Sequence, residues 1–307
     1  MYHYFDLHCD TLLKLYKGGA DITDNKLMIN IKTLSLYKPM IQCFSLFNEG
    51  ELTLDDYFDA VGFIQKVCEC IGMTLCRSFE DIASVRKRGG IGAVLTAEAL
   101  GNTSGIDEDA VARLRKRGYL MAGLVWNFDN ALCGGCLGNG GGVTPAGERI
   151  LRRMEQEGMA VDVSHMSDAA FYETADQFCK PLVASHSNCR AICHHPRNLT
   201  DDMIRKIALS GGVVGVNFYP PFLSRSGSGI ADAVRHIRHI AAVGGARCAA
   251  VGSDFDGIPF TADGLASAAD VSALFEALEG KNDTKSYVCD IGFNNVYNLF
   301  EKYEFSH

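Results

Sequence analysis

Residues 159–165 read MAVDVSH, a short apolar run carrying β-branched residues and ending in a histidine. Residues 145–157 before it and 168–177 after it have helical spacing, so the run reads as one strand between two helices, the repeating unit of a parallel sheet. Working outward, the same alternation recurs along the chain. Strands are expected at 4–8, 40–47, 91–96, 119–125, 159–165, 181–186, 212–218 and 249–254, and helices at 55–71, 107–117, 145–157, 168–177, 201–209 and 230–243. Helix starts are marked chemically: Thr144 precedes Pro145, and Thr200 precedes Asp201 and Asp202, whose charges suit the positive helix end. Eight strands alternating with helices or long loops predict an α/β chain of the (β/α)8 TIM-barrel type, with a doubly wound sheet as the alternative.

The chain has 307 residues, 47% of them apolar, and a net charge of -8. That excludes disorder and a basic nucleic-acid groove. Neither a repeat nor a linker divides the sequence, so residues 1–307 are expected to form one barrel domain. Twelve cysteines read as mostly reduced thiols in a chain of this length. No basic-then-apolar leader and no apolar run near the ~20 residues of a membrane span are visible, so the expectation is a soluble cytoplasmic protein.

Two loops stand out by composition, 133–142 (CGGCLGNGGG) and 224–229 (SRSGSG), and both read as mobile. The first lacks the spacing and the lysine of a phosphate loop. Its Cys133 and Cys136 have no second pair with which to build a zinc ribbon. Cys68, Cys70, Cys189 and Cys193 read as small apolar fillers of helix faces. His3, His194, His195, His236, His239 and His307 read as structural or surface residues, with His236 and His239 on a solvated helix face.

Strand alternation puts His8 and Asp10 on one side of the first strand, where an imidazole and a carboxylate can grip one cation. Glu98, His165, His186 and Asp254 fall at the ends of other expected strands. In a (β/α)8 barrel those positions share the carboxyl rim, where catalytic groups gather. Buried charges without partners are costly, so such a set points to metal rather than to packing. Imidazole and carboxylate donors suit zinc, with manganese, cobalt or iron as chemical substitutes. The count exceeds one open zinc site and favours a two-metal centre that activates water to hydrolyse an amide or ester, with Asp254 moving the proton.

The segments DLHCDT (6–11), TAEALG (96–101), DVSHMS (162–167), ASHSN (184–188), HPRNLTDD (195–202), GGVVGVNFYPPF (211–222) and GSDFDG (252–257) resemble those of the membrane (renal) dipeptidase family, a branch of the metal-dependent amidohydrolases. The likeness runs in order from residue 4 to about residue 260. It implies a dipeptidase with two zinc ions in a (β/α)8 barrel and a metal-bridging hydroxide as nucleophile. By motif, His8 and Asp10 would bind one zinc, Glu98 would bridge, and His165 and His186 would bind the second. Asp254 would transfer protons, and Arg197 would pair with the free carboxylate of the substrate. The substrates implied are small dipeptides, including ones with a carboxyl-terminal D-residue; a homodimer is admitted, and neither nucleic acid nor membrane is expected as a partner. The chain departs from the animal members at two wall positions. Trp126, its one tryptophan, stands where they carry a histidine, and Phe222 where they carry a tyrosine, so both are expected to line the substrate pocket. The alternatives are a binuclear hydrolase of another amide, a lactam or a lactone, and a non-catalytic metal-binding barrel.

Overall fold

The computed structural model describes residues 2–24, 26–280 and 284–303; His307 lies outside them. Among the described residues nine strands form one sheet: β1 (Tyr4–Cys9), β2 (Met40–Phe47), β3 (Thr74–Cys76), β4 (Ile91–Glu98), β5 (Tyr119–Gly123), β6 (Ala160–Asp162), β7 (Val183–Ala184), β8 (Val213–Val216) and β9 (Ala249–Val251). β1 pairs with β2 and β9, and β2 pairs with β4, so the sheet closes on itself through eight parallel strands in the order β1-β2-β4-β5-β6-β7-β8-β9. A doubly wound sheet would leave two open edges, and this one leaves none in the ring. The chain is therefore a closed parallel barrel surrounded by helices, the (β/α)8 architecture.

β3 and the helix Phe79–Arg88 behind it are not among the elements expected from sequence. Three residues are too few to display a strand period. β2 lines one edge of β4 over its whole length, so β3, opposite Gly92–Val94, and β5, opposite Leu95–Ala97, share the other edge. β3 exists because it covers backbone that β5 leaves unpaired.

Several strands are shorter than expected. Of 159–165 only Ala160–Asp162 pairs, of 181–186 only Val183–Ala184, and of 249–254 only Ala249–Val251. His165 and Asp254 lie just beyond their strands in the left-handed region, with φ of 69° and 63°. That conformation ends a strand and is uncommon for residues carrying a Cβ. The two thinnest seams of the barrel are each stitched by a buried carboxylate. β1 and β9 share a single paired position, and there Asp6 accepts hydrogen bonds from Ser253 N at 2.9 Å and Ser253 Oγ at 2.6 Å. β6 and β7 likewise share one, and there Asp162 accepts from Ser185 N at 2.9 Å and from Ser185 Oγ.

Apolar side chains from every ring strand, among them Phe5, Leu7, Ile41, Val94, Met121, Ala160, Val183, Val213 and Ala250, form one cluster with Phe293, Val296 and Phe300 from the carboxyl-terminal segment. Phe300 stacks on Phe5 with centroids 5.6 Å apart. This segment plugs the amino end of the barrel, which leaves the carboxyl end for chemistry. Helix starts follow the sequence: Thr144 and Thr200 accept from Gly147 N and Met203 N. All twelve cysteines are free thiols. Cys70 is exposed, so it is not the packing residue expected.

His236 also departs from expectation. It is buried rather than solvated, because its helix packs against the segment carrying Cys189. Its Nδ1 accepts from Cys189 N at 3.0 Å, and its Nε2 donates to the Leu223 carbonyl at 3.0 Å. Burial pushes its pKa down to about 4, so the folded chain holds it neutral while the unfolded chain protonates it near 6.5. Its contribution to stability is complete above pH 6.5 and is lost as pH falls toward 4, by up to about 3 kcal/mol. In urea titrations His236→Gln should therefore lose less stability between pH 6.5 and 4.5 than the wild type does. Equal slopes would show that this histidine does not titrate with unfolding.

Candidate metal centre

The barrel brings every expected ligand to one point at its carboxyl end. His8 arrives on β1 by a less regular route than strand alternation implies. From Asp6 to Cys9 three residues of β1 advance opposite two of β2, from Gln42 to Phe44, so the pleat is interrupted by a bulge. Asp10 follows the strand, at the start of the helix Thr11–Tyr16. Even so, Asp10 Oδ2 and Glu98 Oε2 each lie 3.4 Å from His8 Nε2, and Asp254 Oδ1 lies 3.8 Å from it. Glu98 closes β4 and offers its other oxygen to the far side, where Oε1 is 2.9 Å from His165 Nε2 and 3.9 Å from His186 Nε2. Two ligand groups result, His8 with Asp10 and Glu98, and Glu98 with His165 and His186; Glu98 belongs to both. His8, His186 and Asp254 also converge.

The proton inventory shows what this cluster lacks. His165 Nδ1 faces Asn127 Oδ1 at 2.9 Å, and an amide oxygen can only accept, so Nδ1 carries the proton. His186 Nδ1 faces Ser185 Oγ at 2.7 Å, and that hydroxyl spends its own proton on Asp162. Both Nε2 atoms are thus bare, yet they lie 2.8 Å apart and against an ionised carboxylate. Facing lone pairs at that distance repel unless a cation sits among them. His8 Nε2 and Asp10 Oδ1 are buried with no hydrogen-bond partner. Orphaned donor atoms of this kind, all nitrogen and oxygen, fit divalent transition metals.

Titration behaviour follows from the same crowding. Burial pushes the Asp254 carboxyl up, reinforced by the Asp10 and Glu98 carboxylates, to about 7. Burial and the Arg197 guanidinium bring His165 down to about 4, which keeps it neutral, the form a metal would need. Asp254 is oriented by a residue the sequence reading passes over: Asn217 Nδ2 donates to Asp254 Oδ2 at 2.8 Å. Asp256, two residues on, is a structural strap. It accepts from Thr11 Oγ1 at 2.6 Å, Lys14 Nζ at 3.3 Å and Met28 N at 3.1 Å. Cys9 is buried, and burial drives its thiol well above the ordinary range, so it is no nucleophile.

The cluster opens into a cavity of about 390 Å³ lined in part by Asp10, Glu98, Trp126, Arg197, Phe222 and Asp254. Arg197 is 4% exposed; its Nη2 donates to the His186 carbonyl at 3.2 Å, and its Nε has no partner. Phe222 lies under the guanidinium at 5.5 Å. Trp126 packs between Phe47 and His165, at 5.2 and 6.1 Å. Eight of the nine candidate residues therefore line one cavity, and His8 lies behind it against Asp10 and Glu98. Asn127, Ser185, Asp162 and Asn217 join them as supports that residue type alone did not single out.

The sequence pattern of the membrane dipeptidases (peptidase family M19) matches residues 2–307. The chain belongs to that family. Membership places it among metal-dependent hydrolases that act on dipeptides. A Klebsiella pneumoniae protein of uncharacterised activity is 38% identical over 218 residues, covering 67% of this chain and 80% of its own length. An uncharacterised dipeptidase of Schizosaccharomyces pombe is 32% identical over 237 residues; the match covers 73% of this chain but only 56% of the yeast protein. A crystal structure of a Rhodobacter sphaeroides metallopeptidase, liganded with a phosphinate mimic of L-Ala-D-Ala, superposes with a TM-score of 0.87 over 98% of this chain and 99% of that one, at 22% identity. That likeness is one of fold. No helix of the described residues is long and apolar enough to cross a membrane.

A divalent cation held by the folded cluster would stabilise the fold: for one site, zinc at about 100 times its Kd would add at most roughly 2.7 kcal/mol, less whatever the cysteines and histidines of the unfolded chain bind. The melting temperature of metal-free wild type should rise on zinc addition, and Glu98→Gln should lose most of that rise. A full rise in the variant would remove Glu98 from the centre.

Proposed function

We propose that this chain is a binuclear zinc dipeptidase. The reading is carried by one observation: two ligand groups share Glu98 at the floor of a cavity that also holds a buried arginine with an unpartnered nitrogen. His8 and Asp10 would hold one ion, His165 and His186 the other, and Glu98 would bridge them. When bound, such a pair supplies an activated water at neutral pH and polarises the scissile carbonyl.

The remaining steps fall to the chain's own side chains. Arg197 receives the substrate's terminal carboxylate, the task its fixed charge and fork suit. The pairing also relieves a buried cation whose existing hydrogen bonds go to neutral oxygens, Ser187 Oγ and the His186 carbonyl. Asp254 takes the proton of the attacking water as the C–O bond forms, then returns it to the leaving nitrogen as the C–N bond breaks. Cations bound beside it would lower the pKa that burial raises and keep this carboxyl ionised, ready to accept the proton of the water. Asn217 holds one oxygen of that carboxyl and leaves the other turned toward the ligands.

Trp126 and Phe222 wall the cavity. An indole can donate one hydrogen bond but carries no positive charge, so Trp126 shapes the pocket without adding a cation to it. The volume is at the small end of the about 300–1,000 Å³ typical of ligand pockets, which favours dipeptides over longer chains. The phosphinate mimic of L-Ala-D-Ala bound by the Rhodobacter sphaeroides relative supports including dipeptides with a carboxyl-terminal D-residue among the substrates.

Zinc-loaded protein should release free amino acids from members of an L,L and L,D dipeptide panel. Asp254→Asn should lower kcat at least about 100-fold, the usual worth of a positioned acid–base group, with metal content unchanged. Cleavage of no dipeptide would overturn the substrate assignment. Arg197→Ala should lower kcat/KM on dipeptides far more than on dipeptide amides, which lack the carboxylate. Equal losses on both would assign the arginine another task and favour a different amide as substrate.

A further inference from the structure

The glycine-rich loop 133–142, which reads as mobile from composition, is pinned beside the metal centre. Asp129 accepts from Gly135 N and Asn139 N, each at 3.0 Å, and Gly134 N reaches the Gly142 carbonyl at 2.9 Å. The glycines are there because backbone approaches backbone: a Cβ on Gly134 would fall 1.9 Å from the Gly141 carbonyl, and one on Gly135 would fall 2.5 Å from the Asn127 carbonyl. So packed, the loop grips His165. Cys136 N donates to the His165 carbonyl at 2.8 Å, Ser167 N donates to the Gly134 carbonyl at 2.9 Å, and Gly135 bridges to Met166. These bonds hold on both sides a histidine whose φ of 69° would otherwise relax.

The same loop fixes Asn127. Leu137 N donates to the Asn127 carbonyl at 2.7 Å, and Cys136 Sγ points at Asn127 Oδ1 from 3.7 Å. Asn127 is half-buried at the wall of the cavity, and its one strong side-chain contact is His165.

We propose that Asn127, clamped by the 133–142 loop, is the positioning residue of the His165 and His186 metal site. Its amide oxygen takes the His165 Nδ1 proton and thereby presents the Nε2 lone pair to the ion. This rests on His165 being a ligand, as argued above, and adds what sets that ligand's tautomer and aim. The loop's function is then neither phosphate binding nor zinc binding of its own; it is a brace.

The test is a competitive zinc titration of metal-free wild type, Asn127→Leu and Asn127→Asp against a chromophoric chelator, with nitrogen-15 histidine spectra of the metal-free proteins. Asn127→Leu removes the acceptor at similar volume, and Asn127→Asp keeps an oxygen. In the leucine variant one of two zinc ions should bind about 10–100 times more weakly, the usual worth of an outer-shell partner, while the other changes little. The aspartate variant should stay close to wild type, and His165 should be Nδ1-protonated in wild type but not in the leucine variant. Asn127→Ala gives the same readout should the leucine variant fail to fold. Unchanged affinity for both ions, or equal loss in the leucine and aspartate variants, would overturn the proposal. A wild type binding fewer than two ions would instead overturn the two-metal reading and this proposal with it, a result visible without any variant.

Discussion

Two imidazole nitrogens without protons, 2.8 Å apart and beside an ionised carboxylate, cannot rest together in a buried site unless positive charge lies among them. Much of the molecule can be understood as making that arrangement stable. The carboxyl end of a parallel barrel supplies convergence, since eight strands deliver side chains to one rim. Outside the ligands, neutral acceptors and a buried carboxylate fix the outer ring protons of two of the three histidines: Asn127 takes one from His165, and Ser185, backed by Asp162, takes one from His186. The unsatisfied lone pairs are thereby confined to a single spot, facing the cavity.

The same residues stabilise the barrel where its ladders are weakest. Short strands β6 and β7 share one paired position, and the carboxylate of Asp162 that spans that seam also anchors the support of His186. Asp6 does the equivalent work across the seam between β1 and β9, just before His8 on its strand and bonded to the residue that precedes Asp254. Strand shortening therefore accompanies the convergence of the candidate site. The chain leaves the sheet early so that His165 and Asp254 can turn inward through left-handed conformations, and buried side-chain hydrogen bonds replace the backbone bonds lost.

Residue order reveals the parts of this design that are periodic or chemically distinctive. Ring strands such as Met40–Phe47 announce themselves by apolar runs, and helices such as Pro145–Gln156 and Asp201–Leu209 by capping residues and spacing. His8, Asp10, Glu98, His165, His186 and Asp254 stand out because metal-ligating types fall at equivalent strand ends. Three features have no local signal. β3 depends on an edge that β5 leaves bare. The bulge at His8 depends on register against β2. The order of the 133–142 loop depends on contacts with Asn127, Asp129 and His165, whereas its composition alone signals mobility. His236 fails for a related reason: helical spacing cannot tell a solvated face from one covered by a segment forty-seven residues away.

The bridging role proposed for Glu98 is tested most directly by diffraction from crystals of the zinc-saturated chain, with data collected on both sides of the zinc absorption edge. Two anomalous peaks about 3.5–4 Å apart are expected, one within bonding distance of His8 and Asp10, the other of His165 and His186, with the Glu98 carboxylate between them. A single peak, or two with Glu98 bound to neither, would contradict it.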